Sequence, residues 1–307
     1  MIRILIILSS VFYLLAIPSS GFGKTYHVYY LGGQSNMDGY GTVNELPSDL
    51  KNRQPDVPIY HGSTAPDGAP LDGRGIWAPM SPGHGVGFTS DGESNRYSNR
   101  FGVELSFAKR LQQLYPNRNI AIIKYSRGGT SIDREAAGTY GCWEADFFQP
   151  EATHPEINQY DHFLATVRGA FTERDIDGDG KDDVLIPSGI VWMQGESDAE
   201  FTEAIANRYS ANLKRLMDLI RAALRTDDLP VAVGRISDSR QSDNGRVWDY
   251  GDIIRREQAR YSASDSHARL VVSTDDYGYC DPWHYDSAGY LDLGVQFANA
   301  LHGFDGS

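Results

Sequence analysis

Five short apolar runs, each leading into a stretch of helical spacing, constrain this chain more than anything else in it. The first is Val28-Tyr29-Tyr30-Leu31, and the others span 119–125, 186–193, 229–236 and 269–274. Runs that lack polar alternation belong to strands covered on both faces, and strands that alternate with helices pair in parallel. Helical spacing is predicted over 102–115, 160–174, 199–224 and 248–261. A last helix, capped by Asp286 or Ser287, runs through Leu301. The fold predicted is α/β, with a central parallel sheet of about five strands and helices on both faces.

The segments just past the strand ends are chemically unusual. The first strand breaks into Gly32-Gly33 and then Gln34-Ser35. The second runs into Ser126-Arg127-Gly128-Gly129-Thr130, and the third into Gln194-Gly195-Glu196-Ser197-Asp198. The loop after the fifth strand carries Asp281-Pro282-Trp283-His284. In an open parallel sheet all four lie on the carboxyl rim, where such sheets bind their ligands. An acid three residues before a histidine can orient the imidazole, which can then take a proton from a serine hydroxyl. The expected catalytic residues are therefore Ser35, His284 and Asp281, with Glu196 as an alternative acid. Glycines without a Cβ let backbone N–H groups approach a ligand, and an amide at a strand end can donate to a developing oxyanion. Ser35, Gly129 and Gln194 are the expected oxyanion donors. His84 is a weaker rival base, with no acid at a fixed short spacing.

Between the first strand and the first helix, residues 39–100 form a long insert crowded with Gly, Pro, Asp and Ser, read as a substrate-facing loop. A second irregular stretch, 175–183, places aspartates at alternate positions with Gly180 at the turn. Asp175, Asp177, Asp179 and Asp183 match the front half of a calcium loop. Ile186 stands where an EF-hand carries its bidentate glutamate, so the motif is incomplete. Calcium there would brace the loop and take no part in the chemistry; the alternative is a solvated acidic turn. Cys142 and Cys280 are the only cysteines. In an oxidising compartment they could pair and tie their two loops together, or they could remain unpaired.

The first 23 residues read as a secretory signal peptide: Arg3 supplies positive charge, an apolar run follows to Ile17, and small residues precede Lys24. The remaining 24–307 are read as one domain, secreted or periplasmic, with no membrane attachment once the leader is removed. Lys and Arg total 28 against 41 Asp and Glu, a formal charge of −13. With no basic cluster to offset it, a surface this acidic repels phosphate backbones and argues against nucleic acid. The full dinucleotide fingerprint and paired zinc-ligand histidines are both missing, and catalysis is expected to need no cofactor.

Taken together, Gly33-Gln34-Ser35-Asn36-Met37, Arg127-Gly128-Gly129-Thr130, Trp192-Met193-Gln194-Gly195-Glu196-Ser197-Asp198 and Asp281-Pro282-Trp283-His284 resemble the blocks of the SGNH hydrolase superfamily. More narrowly they resemble its sialate O-acetylesterase-like group, which includes the acetylxylan esterases of carbohydrate esterase family six. The helix that opens at Gly102 resembles the segment that follows the nucleophile block there. That resemblance implies a flavodoxin-like three-layer α/β/α fold and removal of O-acetyl groups from an acetylated oligo- or polysaccharide. Two other readings fit the fold: a secreted carbohydrate-binding protein without turnover, and an esterase of non-sugar acyl esters. The first should have lost Ser35, His284 or the oxyanion donors, and all are present. The second usually shows an apolar entrance, whereas residues 39–100 are polar.

Overall fold

The computed structural model describes residues 23–148 and 157–304. The leader read over residues 1–23 lies outside them but for Gly23. Seven strands form the main sheet: β1 (Thr25–Gly33), β2 (Gln54–His61), β3 (Trp77–Met80), β4 (Asn119–Ser126), β5 (Val184–Met193), β6 (Val231–Gly234) and β7 (Ala268–Val271). Their order is β7-β6-β5-β1-β4-β2-β3. Every neighbouring pair is parallel except β2 with β3. The sheet is thus larger than the five strands expected, and mixed at one edge.

The two extra strands come out of the insert at 39–100. Pro55, Pro58 and Pro79 lie in them and disguise them, since proline cannot donate to a sheet ladder. The structure accommodates Pro79 on the edge strand β3, where one side of the backbone needs no partner. The rest of the insert folds into turns and two short ribbons, Gly41–Thr42 with Arg100–Phe101 and Thr89–Ser90 with Asn95–Arg96.

Helices cover both faces. They are α1 (Ser35–Asp38), α2 (Glu104–Leu114), α3 (Gln159–Thr172), α4 (Glu203–Ala223), α5 (Gly251–Ser264) and α6 (Ser287–His302). Successive side chains of β1 point to opposite faces, so Tyr29 meets Phe107 of α2 while Tyr30 meets Phe163 of α3. Both tyrosines are buried, which explains the unbroken apolar run in β1. Among the described residues no helix is long and apolar enough to cross a membrane.

Register sets up the rim. Gly33 at the end of β1 pairs with Ser126 of β4 on one side and Met193 of β5 on the other. Gly234 of β6 also pairs with Met193. Four strands therefore end flush, at the place where the chain switches from building one half of the sheet to the other.

Candidate active site

Ser35 opens α1 directly beyond β1. Gly33 makes that turn possible: its φ is 145°, and a Cβ there would lie 1.9 Å from the Met193 carbonyl oxygen. The turn is held by Gln34 N–H donating to Met193 O at 2.9 Å. Beside it, Arg127 N–H donates to Gly33 O at 3.0 Å, bringing the glycine loop of β4 against the serine. A Cβ on Gly128 would stand 3.1 Å from the Ser35 Cβ, so the close approach depends on glycine. Gly128 N–H is taken by Asp38 Oδ2 at 2.8 Å, and Asp38 Oδ1 accepts from the Ser126 hydroxyl. Among the described residues no acceptor meets the N–H of Ser35 or of Gly129.

The Asp281–His284 loop packs onto the same rim. Asp281 Oδ2 lies 2.7 Å from His284 Nδ1, and its Oδ1 accepts from the backbone N–H groups of Trp283 and His284, each at 2.8 Å. A proton on Nδ1 leaves Nε2 with its lone pair, the form a base requires. The imidazole stacks on Tyr40, ring centroids 3.5 Å apart. Burial pushes the His284 pKa below its ordinary value, against the opposing pull of Asp281. Burial would raise Asp281, but its bonds from the His284 ring and from the two N–H groups hold it below the usual carboxylate range. No hydrogen bond joins Ser35 Oγ to His284 in this structure.

Asn36, to which sequence reasoning assigned no part, connects the two loops. Its Nδ2 donates to Trp283 O at 3.1 Å and to Glu196 Oε1 at 2.7 Å, and its Oδ1 accepts from the Tyr290 hydroxyl at 2.8 Å. Glu196, the alternative acid, is thus engaged with Asn36, whereas Asp281 holds the histidine. Burial raises the Glu196 pKa. Position beside Ser35 was the one available signal for Asn36.

Gln194 stands at the rim but is turned inward. It is fully buried; its Nε2 lies 2.6 Å from Asp198 Oδ2, 3.1 Å from Thr130 O and 3.2 Å from Gln34 Oε1. Its Oε1 accepts from the Tyr209 hydroxyl at 2.9 Å. Two amide hydrogens facing three protein acceptors leave nothing for an oxyanion, contrary to the expectation. The reason is Asp198, buried one turn below, whose carboxylate draws the amide down and also accepts from Ile132 and Asp133 N–H.

The other expected features fall elsewhere. His84 is wholly buried, its Nδ1 3.1 Å from His61 Nδ1, so it is no base for a rim substrate. Beneath the site, Lys124 Nζ ties Glu104 Oε2 at 2.8 Å to the carbonyls of Asp38 and His84, both at 2.9 Å. Cys142 and Cys280 are both free thiols, so the bridge is not formed. Cys142 is buried beside Trp143 in the loop that pairs with Ser131, and burial pushes its pKa up to about 12. Cys280 instead opens to solvent at the start of the histidine loop. In the acidic loop, carboxylate oxygens of Asp175, Asp177 and Asp183 come within 4.8 Å of one another, without Asp179. Each already has a partner: Asp175 accepts from Asp179 and Gly180 N–H, Asp177 pairs with the Lys24 ammonium, and Asp183 accepts from Lys24 and Ile176 N–H.

A cavity of about 550 Å³ opens at the carboxyl end of β6, lined by Asp238, Arg240, Asn244, Arg255 and Asp275 among others and by none of the proposed catalytic residues. Ser239 Oγ, donating to Pro282 O at 2.8 Å, links that loop to the histidine loop. The larger cavity, about 950 Å³, lies between the β2–β3 edge and α3 and includes none of the proposed catalytic residues.

Residues 25–303 match the profile of the family described as carbohydrate esterase, sialic acid-specific acetylesterase. Among solved structures, a protein of Arabidopsis thaliana superposes with a TM-score of 0.61 at 20% identity, over 91% of this chain and 98% of that one. A carbohydrate acetylesterase of Xanthomonas citri gives 0.60 at 15% identity, over 90% of this chain and 56% of that one. The structure described as NanS gives 0.57 at 17% identity, over 92% and 98%. At these identities the likeness is one of fold. No curated protein sequence matches.

Proposed function

The chain belongs to the sialic acid-specific acetylesterase family of carbohydrate esterases, in the SGNH hydrolase superfamily, and from that premise we propose that it removes O-acetyl groups from carbohydrates through a serine acyl-enzyme. In this reading Ser35 Oγ attacks the acetyl carbonyl while His284 Nε2 takes its proton. Asp281 keeps the other imidazole proton on Nδ1 and stabilises the imidazolium. The tetrahedral oxyanion is met by the Ser35 and Gly129 N–H groups. His284 then returns its proton to the departing sugar hydroxyl, and a water molecule activated by the same imidazole frees acetate. Substrate binding would bring Ser35 Oγ into line with Nε2, as catalytic hydrogen bonds often tighten only in the complex.

One observation carries the reading. On the rim of a parallel sheet, two unpartnered N–H groups lie on Ser35 and on the glycine loop packed against it, and Asn36 ties the serine's helix to the loop that holds a carboxylate-bound imidazole. The polar cavity at the end of β6, whose loop is bonded to the histidine loop through Ser239, is the candidate place for the sugar. The leader pattern at residues 1–23 supports export, which would place the enzyme with extracellular or periplasmic glycans.

The experiment is acetate release from O-acetylated sialic acid and from acetylated xylan, with Ser35→Ala alongside. Release that vanishes in the variant supports the serine mechanism and begins to choose the sugar. Release that persists in Ser35→Ala would overturn it.

A further inference from the structure

The carboxamide of Gln34 is placed as the inward-turned Gln194 is not. Gln34 is 2% exposed and adjoins Ser35 in the chain. Its Oε1 accepts from Gly195 N–H and Ser197 N–H, each at 3.3 Å, and from Gln194 Nε2 at 3.2 Å. Three donors converge on one atom, which only an oxygen can satisfy, so the hydrogen-bond network itself fixes which end of the amide is which. The Nε2 end must then point away from the β5 loop, and it meets no acceptor among the described residues.

Its surroundings are the other oxyanion groups. Gln194 Nε2, which touches Gln34 Oε1 at 3.2 Å, also touches Thr130 O at 3.1 Å, so one amide joins the Gln34 side chain to the residue that follows Gly129. Ser35 N–H lies on its chain neighbour. An amide donor with no protein acceptor is free to meet a ligand without first breaking a bond inside the protein.

The geometry points to Gln34 as a third oxyanion donor, a catalytic residue whose side-chain N–H meets the charge that develops on the acetyl carbonyl together with the N–H groups of Ser35 and Gly129. The assignment rests on Ser35 being the nucleophile. This chain holds a glutamine in each of two rim blocks, and the structure separates their work. Gln194 clamps the loops from below, while Gln34 keeps a free N–H beside the serine.

Gln34→Glu is the incisive variant, because a carboxylate preserves the acceptor that holds Gly195 and Ser197 while replacing the donor with a charge that repels an oxyanion; boronate binding to the wild type reads the donor without that charge. On O-acetylated sialic acid or an aryl acetate, whichever the wild type turns over faster, kcat should fall about 10²- to 10³-fold with KM nearly constant. A purely structural role would instead lower the Tm, and Gln34→Met, which loses the acceptor as well, should do that. Should Gln34→Glu fold poorly, the wild type supplies the answer. When a boronic acid forms its tetrahedral anion on Ser35, the side-chain amide proton signal of Gln34 should shift downfield. A Gln34→Glu enzyme within threefold of wild-type kcat, or an amide signal unmoved by the boronate, would overturn the assignment. If Ser35→Ala stays active, the reading of the nucleophile fails first; if it is dead while Gln34→Glu is fully active, only the role of Gln34 fails.

Discussion

Replacing Gln194 with alanine separates two roles that look alike in a sequence. The substitution removes a donor to the Asp198 carboxylate, the one side-chain donor found on Thr130 O, and an acceptor of the Tyr209 hydroxyl, all inside the protein. Tyr209 keeps its bond to the Gln194 carbonyl at 2.7 Å, and Gln34 Oε1 keeps its two N–H donors. The damage therefore concentrates on a carbonyl left unpaired, about 1–3 kcal/mol, and on a lost bond to a carboxylate, about 1.5–3 kcal/mol. The sum is about 2.5–6 kcal/mol before any cavity is counted. At about 2–4 °C per kcal/mol for large domains, thermal unfolding should shift down by about 10 °C. The assay is calorimetry or circular dichroism at neutral pH, with acetate release measured well below both transitions. A double-mutant cycle with Asp198→Ala should show non-additive losses, since the two side chains touch. An unchanged Tm together with a hundredfold lower kcat would refute this reasoning and make Gln194 a direct oxyanion donor.

The titrating groups lead to two further outcomes. His284 must be neutral to act, and burial sets its pKa below the ordinary 6.5, so the acid limb of kcat/KM should be centred below pH 6.5. Asp281→Asn removes the charge that pulls this pKa up; turnover should drop by about 10²- to 10⁴-fold and the acid limb should move lower still. A pH–rate profile of both proteins checks this, and an acid limb centred above 6.5 in the wild type would contradict it. His61 and His84 form a buried, neutral pair whose pKa values burial lowers, that of His84 to about 3. The unfolded chain binds protons below about 6.5 that the folded chain refuses. Stability present above pH 6.5 should therefore be lost as pH falls toward 3, by up to about 1.4 kcal/mol per pH unit per histidine. Denaturant unfolding at pH 7, 6 and 5 should show that slope flattened in His84→Gln, and an equal slope in both proteins would count against it.

The parts of this site that could be read in advance were those fixed by the backbone. Strand periodicity alone places Ser35, the Gly128–Gly129 pair and the end of β5 on one edge, and the register sets Gly33, Ser126 and Met193 side by side. The three-residue tether between Asp281 and His284 had few geometries open to it, and the pair lies at 2.7 Å. The two edge strands in the insert were hidden because proline usually marks a break, and only an outermost position makes Pro79 harmless. The cysteines had no such tether, and one ended in the core while the other faces solvent.

Side-chain direction is a different kind of information, and the two glutamines show why. Both come just after strand ends, both are polar, and nothing in their neighbours along the chain says which faces the substrate. That is decided by contacts about 160 residues apart: Gln34 against Gly195 and Ser197, and Gln194 against Gln34. The inward pull comes from Asp198, a carboxylate kept in the core by two backbone donors while burial pushes its pKa up to about 7. A buried acid needs donors, and the nearest mobile donor is the Gln194 amide. Once that amide is committed, the oxygen of Gln34 is drawn toward the same loop and its nitrogen is left without a protein acceptor among the described residues. The polarity of the site thus arises from satisfying one buried carboxylate, a constraint that links the stability of the loops to the chemistry at their rim.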